Sequence, residues 1–246
     1  MSQSIKDNTL AKMPFSVELV KIQVVCDELE CILDRQECYY NIFLNHPEDA
    51  NNIVGIAREN VDNKAIGFIL YDDYYCNDMY IYVVSSWRRK GVARSLVSKK
   101  LKQTTSMCGI TDRRSEDFSF LKSIGATLVS NESDQNKISW TLLDYNARFA
   151  RLMNLGENHN GFQYRDGMNI LSNEFTDNKF GDGLYFSKVC DVMKWRYGCD
   201  IDGERVWVRE VIIPPESKTL QTGPNAFKTD RFILGQRISI NEWTYK

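Results

Sequence analysis

The chain has 246 residues, of which 43% are hydrophobic and 26% charged, and its formal net charge is −2. That is the composition of a folded globular protein with one large or two small domains. It lacks the basic field of a dedicated nucleic-acid binder, a run of apolar residues long enough to span a bilayer, and a basic-then-apolar leader, so an intracellular, cytoplasmic protein without membrane contact is expected. Seven cysteines with no CxxC pair are read as free thiols of a reducing compartment. With only two histidines, His46 and His159, no metal site is expected.

In chain order, residues 1–14 are polar and read as a loose N-terminus. Phe15 to Val25 alternates like a first strand, and Cys26 to Asn45 places Leu29, Ile32, Leu33, Tyr40, Phe43 and Leu44 at helical spacing. Two strands, 52–58 and 65–71, flank a polar turn. Tyr71 to Tyr75 is an acidic-aromatic cluster whose carboxylates and rings suit a cationic amine. The strand 78–84 then runs straight into a helix whose face carries Val92, Leu96, Val97 and Leu101, with Lys99, Lys100 and Lys102 read as a solvated face. Ser115, the acids Glu116 and Asp117, and Gly125 mark the start and stop of a short helix. Strands 126–129 and 137–143 follow.

The most telling stretch is the turn between the strand 78–84 and its helix: Arg88-Arg89-Lys90-Gly91-Val92-Ala93. Gly91 and Ala93 leave the backbone bare where a helix begins, and the first N–H groups of a helix, backed by its dipole, receive phosphate oxygens. Strand, Arg-x-x-Gly-x-Ala and helix resemble the coenzyme A pyrophosphate loop of the GNAT N-acetyltransferases. Phe120-Leu-Lys-Ser-Ile-Gly125 falls where that family has a second motif, and the resemblance covers residues 15–143. It implies a mixed α/β (α+β) fold, a twisted sheet flanked by helices, with acetyl-CoA as cofactor. Val83 and Ser85 would lie along the pantetheine, and Arg88, Arg89, Lys90, Gly91, Val92 and Ala93 would hold the pyrophosphate. It further implies direct transfer to a primary amine, of a small molecule or a protein, in a ternary complex. The family's general acid and base do not carry over, because Leu121, Met79 and Gly109 stand at those places. Asp78, Tyr80, Tyr82 and Asp112 are the nearby candidates.

Residues 145–155 read as a helix, and 144–157 as a linker to a smaller α+β module, 158–246, where glycine is denser and periodicity strand-like. Residues 158–169, Gly183 to Phe186 and Phe227 to Leu234 resemble a module that recurs in proteins of giant DNA viruses, which implies a host-cytoplasm or virion location. Phe180 to Ser187, followed by a helix over 188–197, also resembles the turn-and-tyrosine element of poly(ADP-ribose) polymerases. That resemblance implies a pocket of His159, Tyr185 and Asp230 for NAD, with Arg205 to Ile213 and Arg231 to Ile238 as strands.

Two functions of different class therefore stand open. One is an acetyl-CoA-dependent N-acetyltransferase. The other is an effector or binding protein with a degenerate acetyltransferase half and a nucleotide-binding C-terminal module.

Overall fold

The computed structural model describes residues 13–21, 53–71, 79–112, 115–130, 134–178, 181–196, 204–223 and 226–244. The expected helix 26–45, the end of the first strand, residues 72–75 of the acidic-aromatic cluster and Asp78 lie outside them. The fold is mixed α+β and rich in strands. Among the described residues, 13–21, 53–71 and 79–100 form one compact unit, and the rest, from Leu101 on, a second.

The first unit is a four-stranded antiparallel sheet of β1 (Phe15–Lys21), β2 (Ile53–Glu59), β3 (Ala65–Tyr71) and β4 (Met79–Val83), in that order. The polar turn after β2 closes with the Glu59 N–H donating to the Lys64 carbonyl at 2.9 Å, and Asn63 takes a left-handed φ of 54°. All seven residues of β3 are buried, as an unbroken apolar run in a central strand requires. Gly67 lets β3 and β4 approach, because a Cβ there would stand 2.7 Å from the Tyr82 carbonyl oxygen. The helix α1 (Val92–Thr104) buries Val92, Leu96, Val97 and also Lys100. The three-lysine solvated face is thus corrected. Lys100 follows Leu96 by four residues, which puts it on the core side of the helix. Its Nζ donates to the Ile53 carbonyl at 2.8 Å. Lys99 and Lys102 are exposed.

The second unit begins with β5 (Ser106–Asp112), α2 (Glu116–Ser123), β6 (Thr127–Ser130) and β7 (Lys137–Leu143), the strands pairing in the order β5-β7-β6. The signals of α2 act as expected. Ser115 Oγ accepts from the Phe118 N–H at 3.3 Å, and Gly125 takes φ +88° just past the end.

There follow β8 (Phe149–Asn154), the small pair β9 (Asn158–His159) and β10 (Phe162–Gln163), β11 (Gly167–Ile170), β12 (Leu184–Lys188), a 3₁₀ turn Val192–Trp195, β13 (Arg205–Ile212), β14 (Thr219–Gly223), β15 (Ala226–Thr229) and β16 (Arg231–Ser239). Seven of these strands form an antiparallel sheet in the order β11-β16-β13-β8-β12-β15-β14. One face packs Phe149, Met153, Phe186, Phe227 and Phe232; the other packs Ala150, Leu152, Val192, Val208 and Ile240. At the far edge, the Gln221 N–H of β14 donates to Thr141 Oγ1 of β7 at 3.0 Å.

Two helices read from the sequence are corrected here. The stretch 145–155, expected to be a linker helix, contains the central strand β8, with all six of its residues buried. Between β13 and β12 both faces of β8 are covered, so it shows no alternation, and its Ala, Arg, Leu and Met suit a helix equally well. The helix expected over 188–197 is the single 3₁₀ turn at 192–195.

Candidate functional site

The turn 84–91 is built step by step from β4. The Val84 N–H donates to the Ile66 carbonyl at 2.9 Å, which keeps the chain on the sheet one residue past the strand. Ser85–Trp87 form a 3₁₀ turn, the Trp87 N–H reaching the Val84 carbonyl at 2.8 Å and the Arg88 N–H the Ser85 carbonyl at 3.2 Å. Arg88 Nε then donates back to the Val83 carbonyl at 3.0 Å, tying the turn to the strand end. Arg89 and Gly91 both take left-handed backbone, φ 60° and 84°. This pair reverses the chain so that α1 starts immediately, with the Ser95 N–H bonding the Gly91 carbonyl at 3.0 Å. Among the described residues a Cβ at Gly91 would meet nothing within 4 Å, so the space beside the helix start is open to them.

The side chains around this opening are cationic and exposed: Arg88, Arg89 and Lys90. Lys90 Nζ sits 4.8 Å over the ring of Trp87, which in turn meets Phe15 edge-on at 6.2 Å. Trp87 is a member of this turn that motif reading passed over; an aromatic residue directly before a basic run was the available signal. The opening of α1 thus has three properties of an anion seat: helix-start N–H groups, a positive dipole end and exposed cations.

β4 pairs only with β3 among the described strands, so its outer main-chain edge is not used by a strand. Of the four candidate acid and base residues, Tyr82 stands half-buried on β4, its ring stacked on Phe68 at 5.9 Å and 25°. Tyr80 lies on β4 opposite Leu70, and Asp112 ends β5 opposite Lys137, their side chains outside the described part. Asp78 is outside it altogether.

In the second unit, His159 and Tyr185 do come together, with ring centroids 6.2 Å apart. They meet edge to face at 82°, which leaves no slot for a flat ring between them. The Tyr185 hydroxyl donates to the Gly181 carbonyl at 2.6 Å. Asp230 is committed to its own corner. One carboxylate oxygen accepts from the Lys218 N–H at 2.8 Å, and the other pairs with Arg231 at 3.1 Å. The arrangement thus brings two of the three residues together and gives Asp230 partners of its own, which lends the NAD pocket implied by the polymerase resemblance no support. Sequence reading missed the buried charges beside them. Arg209, fully buried, binds both oxygens of Glu157 at 3.0 and 3.1 Å and Asp166 at 2.7 Å. Arg237 adds a second clamp on Glu157 at 2.7 Å. Burial alone would raise the Glu157 carboxyl, but hydrogen bonds and charge from Arg237 and Arg209 outweigh it and hold the group below the ordinary carboxylate value.

Among the described residues, no helix is long and apolar enough to cross a membrane. No family model matches the chain. An ankyrin repeat protein of Acanthamoeba polyphaga mimivirus is 28% identical over 109 residues, 39% of this chain. The chain spans about half the length of that curated relative, 51%. Among solved structures, a GNAT-family acetyltransferase from Bacillus cereus is 22% identical, covering 52% of this chain and 94% of its own, with a TM-score of 0.38. A GNAT-family acetyltransferase from Streptococcus pneumoniae is 13% identical, covering 52% and 99%, with a TM-score of 0.39. An N-acetyltransferase from Thermoplasma acidophilum, solved in complex with coenzyme A, is 15% identical, covering 52% and 99%, with a TM-score of 0.36.

Proposed function

We propose that this protein is an acyl-CoA-dependent N-acetyltransferase that takes acetyl-CoA on the turn 88–93 and transfers the acetyl group to a primary amine. The observation that carries the reading is the paired left-handed backbone of Arg89 and Gly91, which delivers an open, cation-flanked helix start directly from a sheet edge. The main-chain N–H groups from Arg89 to Ala93 are the donors for the pyrophosphate, and the exposed Arg88 and Lys90 supply positive charge. The edge of β4 that no described strand pairs with, from Ile81 to Val83, with Ser85 beyond it, offers the main-chain groups along which a pantetheine amide can lie.

The reaction this site would support is a single displacement. The neutral amine nitrogen attacks the thioester carbonyl carbon, the C–N bond forms, the C–S bond breaks, and the thiolate leaves with a proton. The second proton of the original ammonium goes to solvent or to a base. Holding both reactants side by side supplies a large part of such a rate. Tyr82, Tyr80, Asp78 and Asp112 are the groups within the proposed region able to relay protons. An intracellular setting, where acetyl-CoA is found, belongs to the same reading.

Calorimetric titration of the whole protein with acetyl-CoA tests it. Saturable binding is expected for the natural sequence and none for Gly91→Glu, because a side chain at φ 84° is strained and its carboxylate would occupy the anion's place. Equal affinity in the two proteins, or no binding to either, overturns the proposal.

A further inference from the structure

Among the described residues Arg151 is a charge without a counter-charge. It lies on β8 directly opposite Arg209 of β13, and directly opposed residues project from the same face of a sheet. Two guanidinium groups placed side by side repel each other. Glu157 and Asp166 answer that problem for Arg209. Arg151 has no such answer. It is 6% exposed, and among the described residues no carboxylate lies within ion-pair distance of it. One Nη1 donor goes to the main-chain carbonyl of Tyr185, and the guanidinium carbon sits 4.4 Å over the ring of Tyr164. Among the described residues its Nε has no hydrogen-bond partner, and neither has the hydroxyl of Tyr164, which is 3% exposed.

An orphaned cationic donor, stacked on the ring that carries an orphaned hydroxyl, puts two costs in one region. A buried polar group without a partner costs stability, and more when it is charged. Arginine cannot escape by giving up its proton. Burial pushes the guanidinium down from its ordinary value, with Tyr164 and Tyr185 acting the other way, and burial pushes the Tyr164 hydroxyl up, so it stays an O–H donor. Nε belongs to the side-on edge of the guanidinium, the edge that takes oxygens of a carboxylate or phosphate. The half-buried pair His159 and Tyr185 forms the neighbouring, more open rim.

We propose that Arg151 Nε and the Tyr164 hydroxyl form a receptor for the oxyanion head, phosphoryl or carboxylate, of a small ligand bound in the second unit. The site is independent of the acetyl-CoA reading.

The test is thermal unfolding of the full chain in the Gly91→Glu background, which removes the turn 88–93 as a competing anion seat. Phosphate, sulfate, acetate and chloride are compared at matched ionic strength. A ligand of the native state raises the midpoint with the logarithm of its concentration. A rise with phosphate and sulfate but not acetate identifies a phosphoryl head, and a rise with acetate alone a carboxylate head. Arg151→Met should abolish the rise. Tyr164→Phe, which keeps the ring and the fold, should weaken the apparent affinity about tenfold, the loss of one hydrogen bond to a charged group. Equal shifts with all four salts, no shift with any, or an undiminished response in Tyr164→Phe overturns the proposal.

Discussion

Glu157 shows how one residue can set the acid limit of a fold. It takes a left-handed φ of 50° just after β8, and its carboxylate is gripped by Arg209 and Arg237 at once. Because its folded value is depressed, the stability it adds is fully present above the ordinary glutamate value, near 4.5, and is lost as pH falls through the lower folded value. Glu157→Gln leaves Arg209 with the exposed Asp166 as its one remaining carboxylate among the described residues, at a cost of about 1–3 kcal/mol. The variant should therefore unfold at lower denaturant concentration at pH 7, yet its midpoint should change less than that of the natural protein between pH 5 and pH 3. Parallel pH profiles for the two proteins would show that Glu157 does not govern the acid limb. None of this could be foreseen from the residues alone. Glu157, Arg209 and Arg237 are far apart in the chain, and only the register of β8, β13 and β16 brings them together.

Elements whose signals are local were legible, and those defined by their neighbours were not. Ser115 and Gly125 bound α2 because a cap and a left-handed stop act within a few residues. The turn 88–93 was legible for the same reason: a glycine before a helix start carries its geometry with it. β8 was misread because a strand covered on both faces shows no period, and Lys100 because a lysine is read as solvated until its carbonyl partner is seen. The pairing of β3 with β4 is sensitive at one position. Gly67→Ala sets a Cβ 2.7 Å from the main-chain oxygen of Tyr82, which a strand can relieve only by moving. The expected outcome is a loss of about 1–3 kcal/mol of stability on chemical denaturation, with weaker acetyl-CoA binding because β4 shifts. Unchanged stability would mean that the two strands separate there without cost.

At the scale of the molecule, composition and compactness mark different places. Glycine density changes after residue 155, which is what divides the sequence to the eye. Burial follows another line: Leu143 of β7 packs in one core with Phe149, Phe186 and Phe227, and Thr127 Oγ1 reaches the Ser217 carbonyl at 3.4 Å. The larger unit is thus a broad β structure in which α2 and one 3₁₀ turn are the helical elements lying wholly inside the described part. Its chemistry is unusual in the number of buried cations. Arg151, Arg209 and Lys228 all lie inside, and Lys228 holds the carbonyls of Asn178 and Asp182 at 2.6 and 3.2 Å.

The inward turn of Lys100 sets it apart in reactivity from the other lysines in and just before α1. A thioester acylates an amine that can approach it with its lone pair, with or without an enzyme. Lys90, Lys99 and Lys102 are open to such attack, whereas the amine of Lys100 is packed against the Ile53 carbonyl. Brief treatment of the folded protein with an acetylating reagent, read by peptide mass spectrometry, should therefore label the three exposed lysines and spare Lys100 until the chain is denatured. Labelling of Lys100 at the rate of Lys99 would show that this amine is open in solution. A protein whose proposed substrate is an acyl donor would then carry, within one helix and the turn before it, amines that record stray acylation beside one that the fold shields from it.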